Sequence, residues 1–256
     1  MVMGVLDVVG PGAGAEASLD DLVRRAGLLV EHGADLLDLE LADDAPGRTE
    51  DEELEAVARA VEAVAVRIDA PLSVATSRAV VVRAAFGAGA VMANDRTGCA
   101  DNAYLAAVVE RGATLAAGHS GPVDVGPDTT ADAVEAFLCE RVGQARAAGI
   151  PSERIVIDAG IGRGKSARQA LALLRASDRF ADLGHPVLLS VADATFAGAL
   201  SGPAEDRGHD AAPWAAMSLA ATALGAVLGC RLVRTRDVAA HRQVCAVLGA
   251  VDGAAR

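Results

Sequence analysis

The sequence predicts an α/β chain folded as a single (β/α)8 TIM barrel over residues 1–256. Three observations point there. Short β-like runs alternate with amphipathic helical stretches eight times. The 256 residues match the roughly 250 that such a barrel uses. No linker rich in Pro, Gly or Ser divides the chain. Strict alternation imposes parallel strands joined by right-handed crossovers, and eight such units close on themselves rather than leaving two edges.

Taken in order, the apolar run Met3–Val8 is the first strand, followed past the glycine-rich stretch Gly10–Ala17 by the helix Ser18–His32. Ser18 ahead of an Asp-containing first turn is a helix start, and Gly33 a stop. Leu36–Leu41 leads to Glu50–Ile68, whose acidic opening suits the positive end of the helix dipole. Pro71–Val74 and Ala90–Ala93 bracket the helix Ser77–Gly87. Asp101 caps Asp101–Arg111, Gly112 ends it, and Thr114–Ala117 follows. Thr130–Ala148, stopped at Gly149, precedes the strand Arg154–Asp158. Ala167–Ser177, Gly184 and the strand Pro186–Val191 make the next unit. A second loop-rich patch, Leu200–Pro213, overlaps the start of the Ala-rich helix Ala212–Gly229. Arg231–Val233 and Asp237–Leu248 complete the eighth unit.

Composition narrows the function classes. Hydrophobic residues make up 52%, too many for a disordered chain, yet aromatic residues are only 2%. The core must therefore be Ala, Val and Leu. A net charge of −12 with so few rings argues against nucleic acid, which calls for a basic face or stacking platforms. No apolar stretch is long enough to span a membrane and no secretory signal is apparent, so a cytoplasmic protein is expected. Cys99, Cys139, Cys230 and Cys245 are scattered without metal-like spacing and read as three inert thiols in helices and one in a loop. His32 and His241 read as helix surface, His185 and His209 as loop residues, and Lys165 as a solvent-facing helix start.

Barrels of this kind do chemistry at the C-terminal ends of their strands. The strand ends read Asp7, Glu40, Ala75, Asn94–Asp95, His119, Asp158, Asp193 and Arg234. All but one are polar and most are acidic, which predicts a carboxylate-lined pocket. Asp158-Ala-Gly-Ile-Gly-Arg-Gly-Lys165 follows an apolar strand, and its three glycines permit positive φ and close backbone approach. Its spacing fits neither a dinucleotide fingerprint nor a Walker A loop.

These segments together resemble the dihydropteroate synthases, the pterin-binding barrels of folate biosynthesis. The likeness rests on Met3-Gly-Val-Leu-Asp7-Val, Gly33-Ala-Asp-Leu-Leu-Asp38, Pro71-Leu-Ser-Val-Ala75-Thr and Ala93-Asn94-Asp95. It continues through Asp158–Lys165, Pro186–Gly198 and Arg234-Thr-Arg236-Asp237-Val238, in family order, so residues 1–256 are expected to be one pterin-binding-like barrel. That family joins p-aminobenzoate to a hydroxymethyl-dihydropterin diphosphate, displacing diphosphate. The resemblance implies that Asn94 and Asp158 recognise a flat heterocycle and that Arg234 serves the pterin and anion region. It also implies magnesium, accompanying the diphosphate, as the one possible cofactor, and no metal site built from the protein alone.

The chain departs from the family pattern at several of its functional positions. Asp7 stands for an asparagine near the magnesium diphosphate, and Ala75 for a pterin-contacting aspartate. Asp193 and Ala194 fall where the family has Arg-Lys, Arg163 where it has phenylalanine, and Arg236 where it has histidine. The resulting expectation is a barrel that has given up dihydropteroate synthesis for another small, flat nitrogenous ring in a biosynthetic pathway. Asp7, Asp193 and His119 are its acid–base candidates, and Asn94, Asp158, Arg234, Arg163, Glu40 and Arg236 its substrate-binding candidates. The alternatives are a non-catalytic partner of an active synthase and, second, a true dihydropteroate synthase. A homodimer through the late helices, with no nucleic-acid or membrane partner, completes the expectation.

Overall fold

A computed structural model of the chain describes residues 1–8, 18–41, 49–191 and 212–254. Eight parallel strands close into a barrel in sequence order, with β1 (Val2–Asp7) hydrogen-bonded both to β2 (Leu36–Glu40) and to β8 (Leu232–Thr235). Between them lie β3 (Leu72–Ala75), β4 (Met92–Asp95), β5 (Thr114–Gly118), β6 (Ile155–Asp158) and β7 (Val187–Ser190). The outer ring comprises α1 (Leu19–Glu31), α2 (Glu50–Ala65), α3 (Ala79–Ala88), α4 (Asn102–Arg111) and α5 (Pro127–Ala147). It continues with α6 (Ala167–Arg175), α7 (Ser177–Ala181), α8 (Ala212–Val227) and α9 (Val238–Ala254). The expected barrel is the observed one. The glycine-rich stretch Gly10–Ala17 and most of Leu200–Pro213 lie outside the described residues.

Local chemistry fixes the element ends. Thr49 and Glu52 form a reciprocal capping box on α2, and Ser166 with Gln169 does the same on α6. α5 starts at Pro127 rather than Thr130, because Gly126 caps it and proline suits a first turn that needs no N–H donor. The stretch Ala167–Ser177 breaks at Ala176, leaving α7 as a separate short helix. β4 and β8 run past their apolar stretches into Asn94–Asp95 and Arg234–Thr235. Ladder bonds continue there even though the side chains have turned polar, with Asn94 opposite Ala116 and Ser190 opposite Arg234. The functional tips thus belong to the strands, not to the loops after them.

Two separate apolar clusters result. The larger lies between strands and helices and is dominated by Leu, Val and Ala, with Tyr104 and Phe180 as fully buried rings. The smaller fills the barrel: Met3, Leu36, Met92, Ala116, Val156, Leu188 and Leu232. Since side chains alternate along a strand, the residues two and four places on from this plug share its inward face. That rule stacks Asp38, Asn94, Asp158, Ser190 and Arg234 above the apolar plug, then Glu40 and Arg236 nearer the rim. Three further expectations are corrected. Lys165 is 8% exposed and His241 1%, so neither faces solvent. Cys230 follows the end of α8 rather than lying in a helix, so two cysteines are helical and two are not; all four are free. No helix among the described residues is long and apolar enough to cross a membrane.

Candidate active site

Arg234 organises one side of the mouth. It is fully buried, its Nε donates to Asp38 Oδ2 at 2.7 Å and its Nη2 to Glu40 Oε2 at 2.7 Å. Asn94 Nδ2 donates to the same Asp38 oxygen at 2.9 Å, which leaves the Asn94 carbonyl as the acceptor it offers. Further out, Arg236 pairs with Asp7 through Nη2 at 2.9 Å and Nε at 3.3 Å, and approaches Glu40 Oε2 at 3.6 Å. Arg96, just beyond β4, pairs with the other oxygen of Glu40. From behind, Arg25 of α1 donates to the Asp7 backbone carbonyl at 2.8 Å. Burial alone would raise the Glu40 carboxyl, but the guanidiniums of Arg234 and then Arg96 hold it down at about 2. Burial likewise works against the Arg234 cation, and Asp38 and Glu40 more than restore it.

The opposite side is built from backbone. The turn after β6 carries Gly160, Gly162 and Gly164, all at positive φ, as the motif predicts. His119 N donates to Asp158 O at 2.9 Å, extending the β5–β6 ladder into the loop. A Cβ on Gly160 would fall within the van der Waals shell of the His119 carbonyl oxygen, and one on Gly164 would lie 2.7 Å from the Gly121 carbonyl carbon. Lys165 clasps the two loops, its Nζ 3.0 Å from His119 Nδ1, 2.9 Å from the Arg163 carbonyl oxygen and 3.4 Å from that of Gly121. Asp158 is buried, with Oδ1 accepting from Gly160 N at 2.7 Å; burial raises its carboxyl against the pull of Arg163.

His119 and Asp7, two of the acid–base candidates, belong to these separate networks. The imidazole packs edge-on against Phe137 of α5, centroids 4.7 Å apart, and accepts at Nδ1 from the Lys165 ammonium. Burial and then that ammonium push His119 down to about 4, while burial brings Lys165 down to about 8. Asp193, the third candidate, lies outside the described residues. The carboxylate-lined pocket is corrected to a charge-paired one. Asp7, Asp38 and Glu40 each face a guanidinium, because Arg234 on β8 and Arg236 just beyond it both turn inward.

Asn94, Asp158, Arg234, Glu40 and Arg236 converge as substrate-binding candidates, and Arg163 stands in the turn beside Asp158. Asp95, by contrast, points away. Its Oδ1 accepts from Thr97 N and Oγ1, both at 2.7 Å, and its Oδ2 from Cys99 N at 2.9 Å, so it shapes the loop after β4. Sequence reasoning missed Asp38, Ser73, Ser190, Arg96 and Lys165. Alternation from Leu36 through Asp38 to Glu40, and from Leu188 to Ser190, was the signal for the buried acid and one of the serines. Asp38 Oδ1, Arg234 Nη1, Ser73 Oγ and Ser190 Oγ are buried with no hydrogen-bond partner among the described residues. Native interiors seldom leave such atoms bare, so this level of the barrel is built for a polar-edged ligand or for water. No three His, Cys, Asp or Glu groups among the described residues stand close enough to hold a metal ion. Asp7, which stands where the resembled family has an asparagine near the magnesium diphosphate, is engaged by Arg236, so this donor set does not fit a magnesium held by the protein alone.

Comparison with known proteins agrees with this geometry. The family model described as "Pterin binding enzyme" matches residues 12–236. A dihydropteroate synthase of Streptococcus pyogenes is 32% identical over 255 residues, covering 96% of this chain and 94% of that protein. A probable bifunctional folylpolyglutamate synthase/dihydropteroate synthase of Halobacterium salinarum is 36% identical over 93% of this chain, which spans only 30% of that longer protein. The Xanthomonas albilineans dihydropteroate synthase solved with 7,8-dihydropteroate superimposes with a TM-score of 0.87 at 33% identity, covering 98% of this chain and 93% of that one. These near full-length likenesses overturn the expectation of a barrel repurposed for another ring. Part of its electrostatic ground has gone as well, since Asp7 is neutralised in place by Arg236.

Proposed function

We propose that this chain, which belongs to the pterin binding enzyme family, is a dihydropteroate synthase. The amine nitrogen of p-aminobenzoate forms a C–N bond to the methylene carbon of the hydroxymethyl-dihydropterin diphosphate. The C–O bond to diphosphate breaks with its electron pair, and the amine loses one proton to water. The observation that carries this reading is the bare, buried edge formed by Asp38 Oδ1 and Arg234 Nη1 beside Asn94 and Asp158. An unpaired acceptor and donor there cost about 1–3 kcal/mol each, and the ring nitrogens and carbonyl of a pterin would recover it. Asp158 accepts from ring N–H groups, Asn94 offers its carbonyl, and the plug of Met3, Met92 and Leu232 closes the floor against water. The chain's own residues thereby fix the ring so that its methylene arm points to the rim, where Arg236 and Arg96 stand near the departing anion.

The test is direct. Purified protein with both substrates should yield dihydropteroate, followed chromatographically. Asp158→Asn, which preserves shape and the Gly160 contact, should lower kcat/KM about 100-fold with an unchanged melting temperature. A folded wild-type protein that forms no dihydropteroate would overturn the reading.

A further inference from the structure

Glu40 has an unusual position among the rim charges. Its two carboxylate oxygens serve three guanidiniums from the ends of two strands, β4 and β8: Arg96 on Oε1, and Arg234 at 2.7 Å and Arg236 at 3.6 Å on Oε2. Neither Arg234 nor Arg236 depends on it for a counterion. Arg234 already has Asp38 at 2.7 Å on its Nε edge, and Arg236 already has Asp7 at 2.9 Å. A guanidinium fork accepts carboxylate and phosphate oxygens with the same geometry. The set of three forks around one carboxylate is therefore an oxyanion site whose occupant is part of the chain. We infer that Glu40 is a resident anion: its carboxylate fills the position among Arg96, Arg234 and Arg236 that a ligand oxyanion would take, and so weakens the binding of diphosphate at this mouth. The naming of diphosphate rests on the function proposed above; the occupancy itself does not.

Two further observations fit. Glu40 stays ionised throughout the physiological range, since it is held at about 2, so a competing anion and not a change of pH is what displaces it. Arg234 keeps its bare Nη1 for the ring edge, so a ligand oxyanion that moved Glu40 aside would meet the Nη2 that Glu40 now holds.

Inorganic pyrophosphate is the probe, titrated calorimetrically into wild-type protein, Glu40→Gln and Glu40→Asp at neutral pH. The wild type should bind weakly. Glu40→Gln, with the resident charge gone, should bind at least tenfold more tightly, and pyrophosphate should raise its melting temperature more than that of the wild type. Glu40→Asp draws the carboxylate back by one methylene and keeps the buried charge, so it tests the idea if the glutamine variant does not fold; a gain of about threefold is expected. Equal or weaker pyrophosphate affinity in a folded variant overturns the inference. Dihydropteroate formation is scored separately: tighter pyrophosphate binding without any turnover would sink the proposed reaction and leave the resident anion standing. Turnover with unchanged pyrophosphate affinity would do the reverse.

Discussion

On the β8–β1–β2 side of the mouth, side chains of opposite charge hold one another across strands, with Arg234, Asp38 and Glu40 at its centre. On the β5–β6 side, the chain is held by main-chain contact so close that only glycine fits, with the Lys165 ammonium clasping the two loops. The first construction fixes groups that must stay charged and point at a ligand. The second fixes the path of the backbone, which carries Asp158 to its place. A mouth that must bind a ring on one side and an anion on the other uses each method where its strength lies. The charged wall tolerates shape changes but not charge changes; the backbone wall does the opposite.

The largest effect should come from breaking the charged wall. Arg234→Met strands Asp38 as an uncompensated buried carboxylate and takes one of three guanidiniums from Glu40, at a cost of about 3–5 kcal/mol. For a domain of this size that is a fall in Tm on the order of 10 °C, checked by calorimetry, and it should shrink when Asp38→Asn and Glu40→Gln are added. A slightly smaller loss, about 2–4 kcal/mol, is expected for Gly160→Ala, because a methyl group cannot coexist with the His119 carbonyl at that positive φ. Urea unfolding should show this second loss to be independent of salt. If both variants responded alike to ionic strength, the contrast between the walls would be false.

The finest separation is by pH. His119 titrates at about 4 in the folded protein against 6.5 unfolded, so the unfolded chain takes up the proton first and stability declines between pH 6.5 and 4. Glu40, at about 2 against 4.5, supports stability above pH 4.5 that is lost as pH falls towards 2. Lys165, at about 8 against 10.5, makes stability rise from pH 8 to 10.5. His119→Gln should flatten the upper acid window and leave the lower one in place. Losing both windows together would mean that the two walls are one network.

Much of this was legible beforehand. Eight strands and the glycine turn were readable because apolar runs and glycines are local signals. Asp38 was not singled out: strands covered on both faces read as nearly continuous apolar runs, in which one inward polar residue passes for an interruption. Its partner Arg234 is 196 residues away, beyond any periodicity. The inward turn of the arginines decided whether the mouth was acidic or neutral, and a side-chain direction at a strand tip is set by partners rather than by spacing. Lysines are seldom buried, and nothing local marks Lys165 as an exception; it is buried because three acceptors surround it.

The link from Arg234 to Asp38 joins the last strand of the barrel to the second. A chain emerging from the ribosome places β1 to β7 first, with Asp38 still lacking the guanidinium that makes its burial tolerable and Glu40 holding only Arg96. The upper barrel cannot close stably around them until β8 arrives. Assembly of the site is therefore coupled to completion of the fold, and a product cut short before Leu232 would fail as a folding unit rather than persist as a half-formed catalyst.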